Sequence, residues 1–135
     1  MKRYVLDASA LLAFFEDEPG AGKMQELLTQ AGQANRPLLL SVVNWGEVYY
    51  VVWQRRGEAA ATEKLVEMAQ LPLEVVDVDM DTTKVAASLK AQHKLPYVDC
   101  FAAALAQQRK ATLVTVDRDF GQVEKGTSIL WASGE

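Results

Sequence analysis

What most constrains this chain is a set of short runs that are apolar on both faces. They are Arg3 to Leu6 (in practice Tyr4-Val5-Leu6), Leu38-Leu39-Leu40, Leu73 to Val78, Thr112 to Val116 and Ser128 to Trp131. Strands of this kind need cover on both sides, which parallel sheets obtain from helices laid over each face. Helical stretches lie between the runs. Ala10 to Phe15 is apolar on too many sides for a surface helix and is expected to pack close to the sheet. Ala21 to Ala31 carries Met24, Leu27, Leu28 and Ala31 at spacings of three and four. Ser41 is a good N-cap for a helix over Val43 to Arg55, and Gly57 separates it from another over Glu58 to Gln70. Asp81 is read as the cap of a helix reaching His93, and Pro96 suits the first turn of a last helix, to Arg109. This alternation predicts an α/β fold with a mostly parallel sheet flanked by helices. At 135 residues, with half of them hydrophobic and no repeat or linker, the chain reads as one domain over 1–135.

Several function classes drop out on counts. One cysteine gives no internal disulfide framework and points to a reducing compartment. With one histidine, a His-based triad or a His-rich zinc site would rest on His93 alone. His93, beside Lys94, is read as a surface group, and Cys100 as a buried hydrophobe. Met1-Lys2-Arg3 and the apolar stretch after it imitate a signal peptide, but Asp7 interrupts the stretch and Glu16 closes it. The next apolar run, Val48 to Trp53, is far short of the ~20 residues of a membrane span. The expectation is a soluble, cytoplasmic protein with no membrane partner. Lys and Arg number 14 against 18 Asp and Glu, a net charge of −4. A polyanionic partner would therefore need a local reversal of the field, such as a divalent metal supplies.

Four acids keep apolar company. Asp7 and Asp117 each end a buried run, where ligands of open α/β sheets bind. Taken singly, each is adequately explained as the point where the chain meets water. Glu47 lies in a helix, Val42 to Trp53, that is apolar nearly all round and so is expected to be deeply packed. Asn44, Glu47 and Val51 share one face of it. A salt bridge to Arg55 and metal binding account for Glu47 equally well on its own. Asp99 stands in a first helical turn, where the dipole favours an acid, on a face continued by Ala102, Ala103 and Ala106. Together, such carboxylates repel one another and raise one another's pKa, a penalty that a divalent cation removes. All-oxygen ligation suits Mg²⁺ or Mn²⁺ rather than zinc.

These residues carry a resemblance. The chain resembles the PIN-domain ribonucleases, most closely the VapC toxins of bacterial toxin–antitoxin pairs. The matching pieces are Tyr4-Val5-Leu6-Asp7-Ala8-Ser9-Ala10, Ser41 to Val48, Leu95 to Ala104 and Ala111 to Phe120. They occur in order and span nearly the whole chain; none is specific alone. The resemblance implies a five-stranded sheet in the order 3-2-1-4-5 and an acidic pocket for one or two Mg²⁺ or Mn²⁺ ions. It makes Asp7, Glu47, Asp99 and Asp117 the metal-binding and catalytic set. Ser9 matches a Ser/Thr position whose hydroxyl contacts the phosphate or a water at the metal. Asp119 and Asn44 match less constant positions. Val116 departs from the pattern, where many relatives have Gly; the turn should change, the chemistry should not.

The implied reaction is endoribonucleolytic hydrolysis by metal-activated water attacking phosphorus in line, leaving a 5′-phosphate and a 3′-hydroxyl. Implied partners are RNA, a VapB-type antitoxin and a second copy in a homodimer, with Glu58 to Gln70 as a candidate surface. Scattered bases, Lys2, Arg3, Arg36 and Arg118, would guide unpaired RNA. Trp45, Tyr49, Tyr50 and Trp53 read as core or interface. Among rivals, phosphoaspartyl transfer wants an acid where Ser9 stands, and a receiver domain wants paired acids at the first strand end and a Lys after the last strand. A non-catalytic PIN-like partner-binding module is the remaining alternative; four intact acids speak against it.

Overall fold

The computed structural model describes residues 2–133, so both extremes of the expected domain, Met1 and residues 134–135, lie outside the described residues. In chain order the elements are β1 (Tyr4–Leu6), α1 (Ala8–Phe15), α2 (Ala21–Ala34), β2 (Leu38–Ser41), α3 (Val42–Arg56) and α4 (Glu58–Gln70). Then come β3 (Leu73–Val76), α5 (Met80–Gln92), α6 (Tyr97–Arg109), β4 (Thr112–Thr115), a 3₁₀ segment (Arg118–Val123) and β5 (Ile129–Trp131).

The strands form one sheet in the order β3-β2-β1-β4-β5. Every pairing is parallel, so "mostly parallel" becomes entirely parallel. Leu6 lies between Leu40 and Val114, and Thr115 stands opposite Trp131. Alternate residues feed opposite cores. Leu6, Leu38, Leu40 and Val114 pack with α1 to α4, including Leu11, Met24, Val48 and Val52. Val5, Leu39 and Leu113 pack with α5, α6 and Phe120 of the 3₁₀ segment. This is why the strands read as apolar on both faces.

From β1 the chain builds one half of the sheet through β2 and β3, then returns to add β4 and β5 on the other side. The order reverses between β1 and β4, and a crevice opens at their carboxyl ends. Asp7 and Asp117 follow those ends.

Two sequence expectations need correction. The cap of α5 is Asp79, not Asp81: its carboxylate accepts from Thr82 N at 2.8 Å. β3 ends at Val76, so residue 79 is already free to take the extended cap conformation. The stretch between β4 and β5 holds the 3₁₀ segment, started by Asp117 accepting from Asp119 N. Finally, α3 is not deeply packed all round. Asn44, Val48 and Val52 are buried, while Tyr50 and Trp53 are 48% and 43% exposed. Tyr49 stacks on Trp45 and meets Trp53 edge-on, so the aromatics cover one another along the outer side. No helix among the described residues is long and apolar enough to cross a membrane.

Candidate active site

Asp7 does two jobs at one place. It ends the central strand and, in extended conformation, caps α1 by accepting from Ala10 N at 2.9 Å. Its carboxylate is 2% exposed. Ser9 Oγ donates to it, 2.9 Å from each carboxylate oxygen, and Thr115 Oγ1 donates to Oδ2 at 2.6 Å. The two hydroxyls are held in turn: Val116 N donates to Ser9 Oγ at 3.2 Å, and Asp117 N to Thr115 Oγ1 at 3.0 Å. Burial still outweighs these donors. It pushes the Asp7 carboxyl up to about 6, with the charge of Glu47 adding to the rise.

Asp99 has no such cradle. It lies in the first turn of α6, 7% exposed, and no hydrogen bond reaches its carboxylate among the described residues. Burial, then the charges of Glu47, Asp7, Asp117 and Asp119, push it up to about 7. Residues from two strand ends, one other helix and the 3₁₀ segment thus act on one carboxyl group. The small residues from Ala102 to Ala104 and Ala106 are all buried, so α6 sits close in and carries Asp99 with it.

Glu47, half-buried on α3, is raised by burial and by Asp117, against a lowering by the Asn44 amide. None of the ion pairs among the described residues involves Glu47, so the salt bridge to Arg55 is not formed. Asn44 is completely buried and donates from Nδ2 to Val98 O at 3.1 Å, tying α3 to the backbone beside Asp99. Its Oδ1 is buried without a hydrogen bond. Asp117 is half-buried, and Asp119 is exposed.

Asp99 thus feels the charges of Asp7, Glu47, Asp117 and the exposed Asp119, while Ser9 supports the Asp7 carboxylate and Asn44 the backbone beside Asp99. Thr115 was missed from sequence. The available signal was a hydroxyl inside an apolar strand, two residues before Asp117 and so on the same side of the sheet. The bases fare worse. Arg3 lies at the amino end of β1 and pairs with Glu74 at 3.9 Å. Lys2 and Arg36 line a cleft with Tyr4 and Leu38, at the amino ends of β1 and β2. Only Arg118 of the four expected guides stands at the carboxyl edge, because strands of a parallel sheet start on the side away from the acids. His93 is half-buried, not a simple surface group, and lines a cleft of about 430 Å³ with Gln107 and Lys125. Cys100 is fully buried, as read.

Among the described residues no three acid, His or Cys side chains are gathered tightly enough to cage a metal ion. The donor set nevertheless fits a hard divalent cation in kind. It is all carboxylate, with no nitrogen or sulfur, and the groups raise one another's pKa as unshielded neighbours do.

Comparison with known proteins returns the same fold. The chain belongs to the PIN domain family, whose model matches residues 4–126. Within it, the chain is similar to ribonuclease VapC30 of Mycobacterium tuberculosis, 29% identical over 133 residues, covering 93% of this chain and 98% of the relative. It is similar also to ribonuclease VapC of Mycolicibacterium smegmatis, 33% identical over 110 residues, with coverages of 76% and 82%. In fold it matches a chain of Rickettsia felis VapBC2 bound to a promoter DNA fragment. There the TM-score is 0.73 at 20% identity, covering 94% of this chain and 96% of that one.

Proposed function

We propose that this chain is a Mg²⁺- or Mn²⁺-dependent endoribonuclease, the toxin of a VapBC-type pair, acting in the cytoplasm on RNA. The observation that carries the reading is the single carboxyl of Asp99, raised to about 7 by burial and by four other acids converging on it. Such a cluster is costly to keep and useful for holding a cation.

Asp7, Glu47, Asp99 and Asp117 would hold the metal. When bound, it supplies Lewis-acid polarisation of the phosphodiester and of the water that attacks it. The protein's own groups do the rest. Ser9 and Thr115 fix the Asp7 carboxylate in one orientation, and Asn44 fixes the backbone beside Asp99. Asp99, which burial and the other acids keep protonated up to about 7, would have to release that proton to serve as a ligand. No side chain is required as nucleophile, and His93 is not part of the cluster. A VapB-type antitoxin is the expected restraint, which the VapBC complex among the structural neighbours supports, and a homodimer is the expected working form.

Sequencing of RNA 5′ ends after brief expression tests this reading. New 5′-phosphate ends should appear with the natural chain and vanish with Asp7→Asn. Growth arrest should follow the same pattern and be reversed by the neighbouring antitoxin gene. An unchanged set of ends with folded, metal-supplied protein overturns it.

A further inference from the structure

The acid cluster that would bind the metal also repels the RNA it would cut, and the chain as a whole carries −4. A cationic group beside the cluster would offset this repulsion, and Arg118, next in sequence to Asp117, is one that stands at the carboxyl edge. Flanked in sequence by Asp117 and Asp119, Arg118 forms an ion pair with neither among the described residues. Its guanidinium instead lies over the ring of Trp131, 4.6 Å from the centroid, and donates to Ser133 Oγ at 3.3 Å. Trp131 ends the edge strand β5 directly opposite Thr115, whose hydroxyl holds Asp7. β5 thus lies two strand spacings, ~10 Å, from the central strand that Asp7 ends.

We propose that Arg118 and Trp131 form a subsite for the RNA strand beside the scissile phosphate; this rests on the ribonuclease reading above. An unpaired base stacks on the guanidinium–indole pair, and the remaining guanidinium N–H groups take a phosphate. Arginine planes and aromatic rings are how single-stranded RNA is held without base pairing. A charge serving only to neutralise the acids would face them, whereas this one is turned to a ring at the rim.

The test uses the full chain carrying Asp7→Asn, which prevents cutting, with Mg²⁺ and a fluorescein-labelled pool of single-stranded octaribonucleotides. Anisotropy gives affinity as a function of salt. Arg118→Gln should weaken binding about tenfold and lower the steepness of its logarithmic salt dependence by about 0.7. Trp131→Leu should weaken binding about tenfold, and Trp131→Phe should restore most of it. Arg118 is exposed, so Arg118→Gln should melt with the parent. If Arg118→Gln binds with the parent's affinity and salt slope, the subsite is overturned. So too if affinity falls only as far as the melting temperature does, since the pair would then merely fasten β5. A natural chain that cuts RNA while these variants bind normally removes the subsite alone. A natural chain that neither binds nor cuts RNA removes the ribonuclease reading with it.

Discussion

Thr115 donates its hydroxyl to Oδ2 of Asp7 at 2.6 Å across the junction of β1 and β4, and the hydroxyl oxygen, Thr115 Oγ1, accepts from Asp117 N at 3.0 Å. One buried hydroxyl thus sets the carboxylate at one strand end and the backbone of the acid at the next. Thr115→Val keeps the shape and removes both bonds. It leaves Asp117 N without its acceptor, at a cost of about 1–3 kcal/mol. Cleavage should fall about 10–100-fold, the usual loss when a group orienting a metal ligand is removed. Thr115→Ser should recover most of it. Steady-state cleavage rates and thermal melts of the two variants check this; a fully active Thr115→Val contradicts it.

Metal-free stability should fall as pH rises. The unfolded chain loses the Asp7 and Asp99 protons near the ordinary 3.8, whereas the folded protein keeps them to about 6 and about 7. Between those limits the folded state binds more protons, so stability declines from pH 4 to pH 7 and then levels. For Asp7 alone the loss is about 3 kcal/mol. Melts in EDTA should therefore be higher at pH 5 than at pH 8. A steady rise across that interval would be the opposite sign.

Asp99→Asn removes the cost of the buried charge and the repulsion together without other loss, because the Asp99 carboxylate has no hydrogen bond to lose among the described residues. At pH 8 in EDTA this variant should melt several degrees above the natural chain, since ~1 kcal/mol corresponds to about 3–5 °C at this size. It should also fail to cut RNA, and its melting temperature should vary less with pH. Glu47→Gln should melt with or above the parent. Had Glu47 been half of a buried ion pair, its loss would cost about 3–5 kcal/mol.

The fold was legible because both faces of β1, β2 and β4 are apolar and because the helices are punctuated by capping residues such as Ser41. The sheet order and the site came through resemblance: nothing in the spacing of Asp7, Glu47, Asp99 and Asp117 places them together. Local errors have local causes. Asp81 and Asp79 are equivalent caps on paper, and only the end of β3 at Val76 decides between them. The apolar residues of α3 suggested burial, but the aromatics shield one another on a partly open face. The signal at Thr115, a hydroxyl in an apolar strand, is weak because a threonine in a strand needs no explanation until its partner is known. The misplaced bases show that nearness to a strand says nothing about which end.

Val116, the departure from the family pattern, has a structural partner. Gly20 precedes α2 at φ +108, and a Cβ there would lie 2.8 Å from Val116 Cγ1. Gly20→Ala should therefore cost about 1–3 kcal/mol, from backbone strain and overpacking together. Gly20→Ala with Val116→Gly should recover the packing share only. Denaturant melts of the single and double variants separate the two; an unchanged midpoint for Gly20→Ala contradicts the contact.

The central claim is that the acid cluster holds a divalent cation and uses it to cut RNA. The direct measurement is cleavage of single-stranded RNA by the purified chain with Mg²⁺ or Mn²⁺, with EDTA, and with the stabilised Asp99→Asn variant. Cleavage should require the cation, stop in EDTA, and be absent from Asp99→Asn despite its higher melting temperature. Undiminished cleavage in EDTA, or by Asp99→Asn, would contradict it.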